Sequence, residues 1–290
     1  TTSENNNVFD QRWIDMLRDG VPRTLHNTPM WIFCACDPNG GGSSQMAIVT
    51  LAAEQNQYVL LGLESHAVKG HGEIRTLLTE HVRFLGAKNP SSNTLLITES
   101  NLGHEASHMS SMLRSFSKVI GIREKGQPGV LTTHNRKELY ANHAIELFAG
   151  GGIHFHRDVF SANPFLDANV RTNKMKDTFC KQLQQFQRLV IPRANTYDLP
   201  KIIYSGKQNG EDDFVMTFLI GLYWTTKFLA GKNYSIADIA TFPWVARHEI
   251  HDIGLKKFKH LTRWFELISK RKAVIKGYDF MNRGETIPRP

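Results

Sequence analysis

Cysteine is scarce. The 290 residues hold three, Cys34, Cys36 and Cys180. An odd, sparse set excludes a disulfide framework and fits a reducing compartment. Cys34 and Cys36 alternate within an apolar run, which points both to one side of a strand as buried small residues. No run approaches the roughly 20 apolar residues that a membrane-spanning helix needs, so no membrane partner is expected. No signal peptide opens the chain, and Thr1-Thr-Ser-Glu-Asn-Asn-Asn7 reads as the start of a domain cut from a longer protein. Low-complexity tracts and blocks of like charge are missing, as befits a globular chain. No Gly-x-x-x-x-Gly-Lys-Ser/Thr loop occurs, and Gly40-Gly-Gly-Ser-Ser44 lacks the lysine, so a P-loop motor is excluded. What is present is positive charge, +8 net with a pI near 9.4. Without an amphipathic membrane signature, that balance favours nucleic acid as the polyanionic partner. The length allows one large core or two modest ones.

Hydrophobic periodicity and turn residues predict the elements. Residues 1–10 are polar and expected to be mobile. A short helix covers Phe9–Leu17, with Val21-Pro22 ending it. Strands follow over 29–37, 45–51 and 58–63, the first two joined as a hairpin through the Gly-rich turn. A helix over 73–85 puts Ile74, Leu77, Leu78, His81, Val82 and Leu85 on one face. Then come a strand over 94–98, a helix over 103–116 and a strand over 118–122. A turn at Gly126-Gln-Pro-Gly129 leads to a helix over 136–148, ended by Gly150-Gly-Gly152. Ile153–His156 is a short extended piece, with His154 and His156 as surface or packing residues. A long helix over 171–190 stops at Pro192. Three meandering strands, helix, strand, helix, strand and helices is the order of an RNase H-like α/β fold, with a mixed central sheet flanked by helices.

Three acidic points end or open these elements. Asp37 closes the run Trp31-Ile-Phe-Cys-Ala-Cys36, and Glu99 closes Thr94-Leu-Leu-Ile-Thr98. Asp212 and Asp213 follow Lys201-Ile-Ile-Tyr204 and open the helical pattern Phe214–Trp224. Acids at strand ends and at a helix start can converge on one edge of a sheet. Hard oxygen ligands of this kind hold Mg²⁺ or Mn²⁺. Two such ions a few ångströms apart make a phosphodiester-cleaving site. Gathered carboxylates repel one another and their pKa values rise. Taken singly, Asp37-Pro-Asn-Gly is also a good turn, and Asp212-Asp213 also suits a helix N-terminus.

Residues from about 10 to 227 resemble the C-terminal nuclease domain of a herpesvirus large terminase subunit. The matching words are Cys36-Asp-Pro-Asn-Gly-Gly-Gly42, Ile97-Thr-Glu-Ser-Asn101, Gln127-Pro-Gly-Val-Leu-Thr-Thr133 and Ser205-Gly-Lys-Gln-Asn-Gly-Glu-Asp-Asp-Phe214. The resemblance implies a two-metal-ion endonuclease that cuts concatemeric viral DNA during genome packaging in the host cell nucleus. Its implied partners are double-stranded DNA, other terminase subunits and the capsid portal. The implied catalytic, metal-holding residues are Asp37, Glu99 and the Asp212–Asp213 pair, with Asp213 favoured over Asp212 as the direct ligand. Lys207, in the loop before the pair, is expected to contact DNA phosphate or to stabilise transition-state charge, although a solvated loop lysine would look the same. Lys181, Arg188 and Arg193, with Arg171, Lys174 and Lys176, give the late helical segment a positive bias that could follow a DNA backbone.

From Phe228 to Pro290 the sequence resembles instead the C-terminal helices of a bacterial glutathione S-transferase. Phe228-Leu-Ala-Gly-Lys-Asn-Tyr-Ser-Ile-Ala-Asp-Ile-Ala240, Thr241-Phe-Pro-Trp-Val-Ala-Arg247, His260-Leu-Thr-Arg-Trp-Phe265 and Arg271-Lys-Ala-Val-Ile-Lys-Gly277 carry the likeness. Ser235-Ile-Ala-Asp238 has the form of a capping box. The thioredoxin-like half that binds glutathione in that family is absent, so glutathione chemistry is not expected. The chain reads as two domains, 1–227 and 228–290, of unrelated kinds. Two rival readings remain. His104-Glu105-Ala-Ser-His108 matches the His-Glu-x-x-His word of zinc metalloproteases, with Glu124 as a possible third ligand. The acids could also be vestigial in a non-catalytic, DNA-binding packaging scaffold.

Overall fold

The computed structural model describes residues 6–38, 45–54, 57–68, 70–101, 116–160, 168–191, 200–208, 210–230, 236–250, 254–279 and 283–289. Contacts divide the chain into two compact units, Thr1–Thr225 and Thr226–Pro290. The first begins with helix α1 (Gln11–Asp19), where the Asp10 side chain accepts the Arg12 N–H at 2.8 Å. The segment before it is tied down at residues 6–10, contrary to expectation. Asn7 bridges to Gln187, and the Val8 N–H donates to the Phe186 carbonyl at 2.9 Å. The cause is Phe9, which is buried against the rings of Phe148 and Phe186.

Apolar and β-branched runs build β1 (Trp31–Asp37), β2 (Met46–Glu54), β3 (Gln57–His66), β4 (Asn93–Thr98), β5 (Val119–Gly121) and β8 (Ile153–Phe160). They form one six-stranded sheet in the order β5-β4-β1-β2-β3-β8. β1 pairs antiparallel with β2 and parallel with β4, and β2 pairs antiparallel with β3. β1 is central and buried along nearly its whole length, as a strand covered on both faces must be. Helix α2 (His71–Lys88) covers one face, setting Ile74, Leu78, Val82 and Leu85 on Ile32, Cys34, Cys36 and Ile48. These are the residues that the 3.6-residue spacing selected, and both cysteines are buried thiols. Helix α3 (His134–Ala149) ends at Gly150, as its glycine run predicted.

Three elements differ from the sequence reading. The turn at 126–129 falls earlier. Lys125 (φ 49°) and Gly126 (φ 84°) make a two-residue turn between strands β6 (Arg123–Glu124) and β7 (Gln127–Pro128). Positive φ at both central residues suits the tight hairpin, whereas Pro128 fits a short strand. The long helix α4 (Ala168–Gln185) stops five residues before 190. Gln187–Ile191 instead forms strand β9, paired antiparallel with β10 (Lys201–Ser205). The apolar Leu-Val-Ile run suits either state, and a distant strand partner decided it. Residues 153–156 extend into full strand β8, which reaches Phe160 and pairs parallel with β3. The helix expected over 103–116 lies outside the described residues.

Helix α5 (Asp213–Ala230) packs on the face of β1 opposite α2, and the contact is close at Gly221. A Cβ added there would stand 2.7 Å from the Ala35 Cβ and 3.4 Å from the Leu51 Cδ1.

The second unit holds helices α6 (Ile236–Val245), α7 (Lys259–Ser269) and α8 (Lys272–Tyr278) around a small core of Phe242, Ala246, Leu255, Phe265 and Ile268. Asp238 accepts a hydrogen bond from the Trp264 indole; Ser235, its expected capping partner, lies outside the described residues. No helix among the described residues is long and apolar enough to cross a membrane.

Under α2, one polar group is sealed into the core of the first unit. His81 Nδ1 lies 2.7 Å from Glu64 Oε1, and His81 Nε2 lies 3.0 Å from Thr50 Oγ1. Burial pulls the His81 imidazolium down, but the Glu64 carboxylate and Cys34 outweigh it and push the pKa up to about 10. The folded value thus exceeds that of a free imidazole, 6.5. Its stabilisation is complete below that free value and is lost as pH rises through the folded one. Urea unfolding of the wild-type chain should show this decline between pH 6.5 and 10. Glu64→Gln should flatten it and cost about 3–5 kcal/mol at the lower pH, by stranding one member of a buried pair. A wild-type stability that climbs across this range faster than that of Glu64→Gln would refute the assignment.

Candidate metal centre

Asp37 is the last residue of β1 and stands across from Ala47 of β2. β4 runs parallel beside β1 with Cys36 opposite Thr98, and the Glu99 N–H donates to the Cys36 carbonyl at 2.9 Å. Glu99 therefore follows Asp37 in register, one strand spacing of roughly 4.8 Å away. Side chains alternate along a strand, so Asp37 shares the face of Ala35, which is the face that α5 covers. The two residues thus take neighbouring positions at one end of the sheet. Their charges, after burial and the neighbouring Cys34, raise the pKa of the Cys36 thiol well above its ordinary value. Cys36 is an inert packing residue there.

Helix α5 brings the third acid. Asp212 is its N-cap, since the Asp212 carbonyl accepts the Met216 N–H at 2.9 Å. The first amides of the helix are taken by a side chain from α4: Gln182 Oε1 accepts from Phe214 N–H at 2.8 Å and Val215 N–H at 3.4 Å. Gln182 thereby releases both aspartates from the capping duty that a helix N-terminus offers acids. They use that freedom differently. Asp212 is buried, and its Oδ2 accepts from Ser205 Oγ at 3.0 Å and Gly206 N–H at 2.9 Å, holding the loop after β10. Asp213 Oδ2 accepts the Gln45 N–H at 2.9 Å, just where β2 begins. Ser65 of β3 fixes the Gln45 side chain. Asp213 is thus tethered two residues from Ala47, the partner of Asp37, at the same sheet edge. Burial raises its pKa, and Asp212 and Glu211 add to this, against the Gln45 N–H and the Lys207 charge.

Glu99 has its own supports. Asn101 Nδ2 donates to Glu99 Oε1 at 3.1 Å, and Glu99 bridges to Val130.

The donor set fits a hard divalent cation: it is all oxygen, on one edge, and includes a desolvated carboxylate that a cation would favour in its charged form. The side chains are not drawn tightly together. Among the described residues, no three His, Cys, Asp or Glu side chains form a group that could grasp one ion.

Of the residues proposed for DNA, Lys207 is exposed in the β10–α5 loop, near enough to Asp213 to oppose its pKa rise. Lys181 is exposed on α4. Arg188 lies on β9 rather than on a helix, beside a cleft of about 360 Å³ lined by Asn6, Glu138 and Tyr204. Arg193 and the whole His104–His108 word lie outside the described residues. Glu124, considered as a third zinc ligand, is ion-paired with Arg136, whose Nη1 stands 2.6 Å from Glu124 Oε2. His154 and His156 sit on β8, and burial lowers the pKa of both.

Sequence reasoning missed Gln45, Gln182 and Gly221, which act on residues far away in the chain, where no local signal marks them. Ser205 and Asn101 stand in the matching words but had no role.

Comparison with solved structures finds terminase nuclease domains. Human cytomegalovirus terminase nuclease domain soaked with Mn matches with a TM-score of 0.54 and 14% identity over 79% of this chain and 97% of that one. The inhibitor-bound, Mn-soaked form matches with a TM-score of 0.54 and 12% identity, over 74% and 94%. The same domain without these additions gives 0.52 and 14%, over 74% and 93%. The fold is therefore RNase H-like, as the order of elements predicted. The family model for the glutathione S-transferase C-terminal domain matches residues 208–272. That match starts before the expected boundary at 228 and takes in α5. Curated protein sequences gave no match.

The two aspartates should separate in mutagenesis. Asp212→Ala removes two hydrogen bonds to a buried carboxylate and should cost about 1.5–3 kcal/mol in urea unfolding. Folding disfavours the ionised form of Asp213, so stability is lost as pH rises past the ordinary carboxylate value of 3.8. Asp213→Asn keeps an acceptor for the Gln45 N–H and should raise the urea midpoint at pH 7. A lowered midpoint for Asp213→Asn, equal to that of Asp212→Ala, would show that both are plain structural acids.

Proposed function

We propose that the chain is a metal-dependent endodeoxyribonuclease of the herpesvirus large terminase kind, cutting concatemeric viral DNA as genomes are packaged. The observation that supports this most is the edge itself. Asp37 and Glu99 are neighbours on adjacent parallel strands, and Asp213 is tethered to the start of the third. Asp37, Glu99 and Asp213 would hold Mg²⁺ or Mn²⁺, two ions in this reading, with Asp212 shaping the loop behind them. Such ions supply a nucleophile at neutral pH and neutralise charge at the leaving 3′ oxygen. The chain's own part is to pre-set the carboxylates, to keep Asp213 partly desolvated, and to offer Lys207 to a DNA phosphate. Lys181, Arg188 and Arg193 extend the basic surface. The partners are double-stranded DNA, other terminase subunits and the capsid portal, and the setting is the host cell nucleus. Glutathione is not a ligand in this reading.

A second reading has an observation of its own. The described acids are not drawn into an ion-grasping group. That favours a DNA-binding packaging scaffold without catalysis.

Plasmid cleavage separates the two. Supercoiled DNA should be relaxed or linearised with Mn²⁺ and left intact in excess EDTA. Asp37→Ala, Glu99→Ala and Asp213→Ala should each lower cleavage beyond the roughly 10–100-fold that loss of an outer metal partner brings. His104→Ala and His108→Ala should cut normally. Binding should weaken by about 10³-fold or more from 50 to 200 mM salt if six or more phosphates are contacted. DNA binding with no cleavage under any divalent ion would establish the scaffold, and cleavage undiminished by EDTA would eliminate the metal.

A further inference from the structure

Asn101 lies three residues past the end of the β4 register, where the chain leaves the sheet beside Glu99. Its amide makes three bonds. Oδ1 accepts the Thr132 N–H at 2.8 Å, and Nδ2 donates to the Thr132 carbonyl at 3.1 Å and to Glu99 Oε1 at 3.1 Å. The two bonds to the backbone of one residue, Thr132, fix the orientation of the amide. A flipped amide would set donor against donor and acceptor against acceptor, and would turn an oxygen toward the Glu99 carboxylate. So the NH₂ always faces Glu99.

The segment that fixes the amide is itself braced. The Val130 N–H donates to the Thr98 carbonyl at 2.8 Å, and the Ser100 N–H donates to the Val130 carbonyl at 2.9 Å. This close crossing needs Gly129. Its φ is +81°, and an added Cβ would lie 2.8 Å from the Thr98 oxygen and 2.9 Å from the Ser100 Cβ. On the other side, Arg136 donates to the Leu131 carbonyl at 2.6 Å while paired with Glu124. The word Gln127–Thr133, which the proposed chemistry leaves without a role, is thus a brace running from α3 to the end of β4.

We propose that Asn101 is a positioning residue for Glu99, and that the Gln127–Thr133 segment exists to hold its amide. A neutral donor suits the task. It fixes one carboxylate oxygen without bringing a positive charge to compete with a cation. This inference rests on the nuclease reading above.

The test uses the full chain and two readouts, Mn²⁺ binding by calorimetric titration and plasmid cleavage at graded Mn²⁺. Asn101→Ala should raise the half-saturating Mn²⁺ concentration about 10–100-fold in both, the range for loss of a ligand's orienting partner. The KM for DNA should stay within about twofold, because Asn101 acts through the metal ligand rather than on DNA. Arg136→Gln loosens the brace from its far side without touching either side chain. It should move the Mn²⁺ midpoint the same way by less, and it keeps the idea testable if Asn101→Ala does not fold. Melting curves report folding independently. Lower melting temperatures with an unchanged Mn²⁺ midpoint in the folded variants would reduce Asn101 to a loop tie and overturn the proposal. If the wild-type chain binds no Mn²⁺ and cuts nothing, the nuclease reading fails and the role of Asn101 fails with it. Wild-type cutting with unshifted variants sinks Asn101 alone.

Discussion

The close contact of α5 with β1 at Gly221 is the constraint on which the candidate centre depends. Because no side chain intervenes between Gly221 and Ala35, the helix lies directly on the strand. Asp37 is two residues along from Ala35 on the same face of β1, and Asp213 is eight residues back along α5, at its start. With the helix seated, its first turn can reach only the edge where β1 and β4 end and β2 begins. The hydrogen bond from Gln45 to Asp213 then sets the final position. Packing at one glycine thus determines where a carboxylate falls about 12 Å away, eight residues at 1.5 Å each.

Stability and chemistry pull against each other at this edge. Desolvation raises the pKa of Asp213, and its neighbours Asp212 and Glu211 reinforce the effect. A folded chain has no structural reason to keep such a group ionised. Functional sites often hold a carboxylate perturbed in this way, because burial there is arranged to tune its charge. The first unit carries a different charged group, His81 with Glu64, that is fully paired and sealed under α2. The sealed pair is completed by Thr50 on His81 and His66 on Glu64, whereas the edge acids are held by neutral donors: Gln45, Asn101, Ser205 and Gly206.

Most of the sheet was legible in the sequence because its strands are apolar runs bounded by turns, and α2 because its apolar spacing is regular. The acids could be picked out because each ends or opens such a run. Their supports could not. Gln182 caps a helix thirty residues further on, Gln45 reads only as the first residue of its strand, and Gly221 looks like any helical glycine. Strand β9 was read as the end of a helix because Leu189, Val190 and Ile191 fit both periods, and only pairing with β10 chooses between them. The turn near 126 was misplaced because Gly126 and Gly129 both have positive φ, and the sequence does not say which one reverses the chain.

The beginning of α5 falls within two likenesses at once, and physical ties decide to which unit it belongs. The glutathione S-transferase C-terminal model takes in residues 208–272, and so includes Asp212 and Asp213. Yet the partners of this helix start lie outside that stretch. Asp213 is bound to Gln45, Asp212 to Ser205 and Gly206, and the first amides of the helix to Gln182. Division by contacts likewise keeps residues up to Thr225 with the sheet. A helix can resemble one family in its pattern of apolar residues while its capping and its close approach serve another architecture. Here Gln182 and Gly221 fit α5 to the sheet. The pair of aspartates is therefore part of the sheet-bearing unit by its bonds.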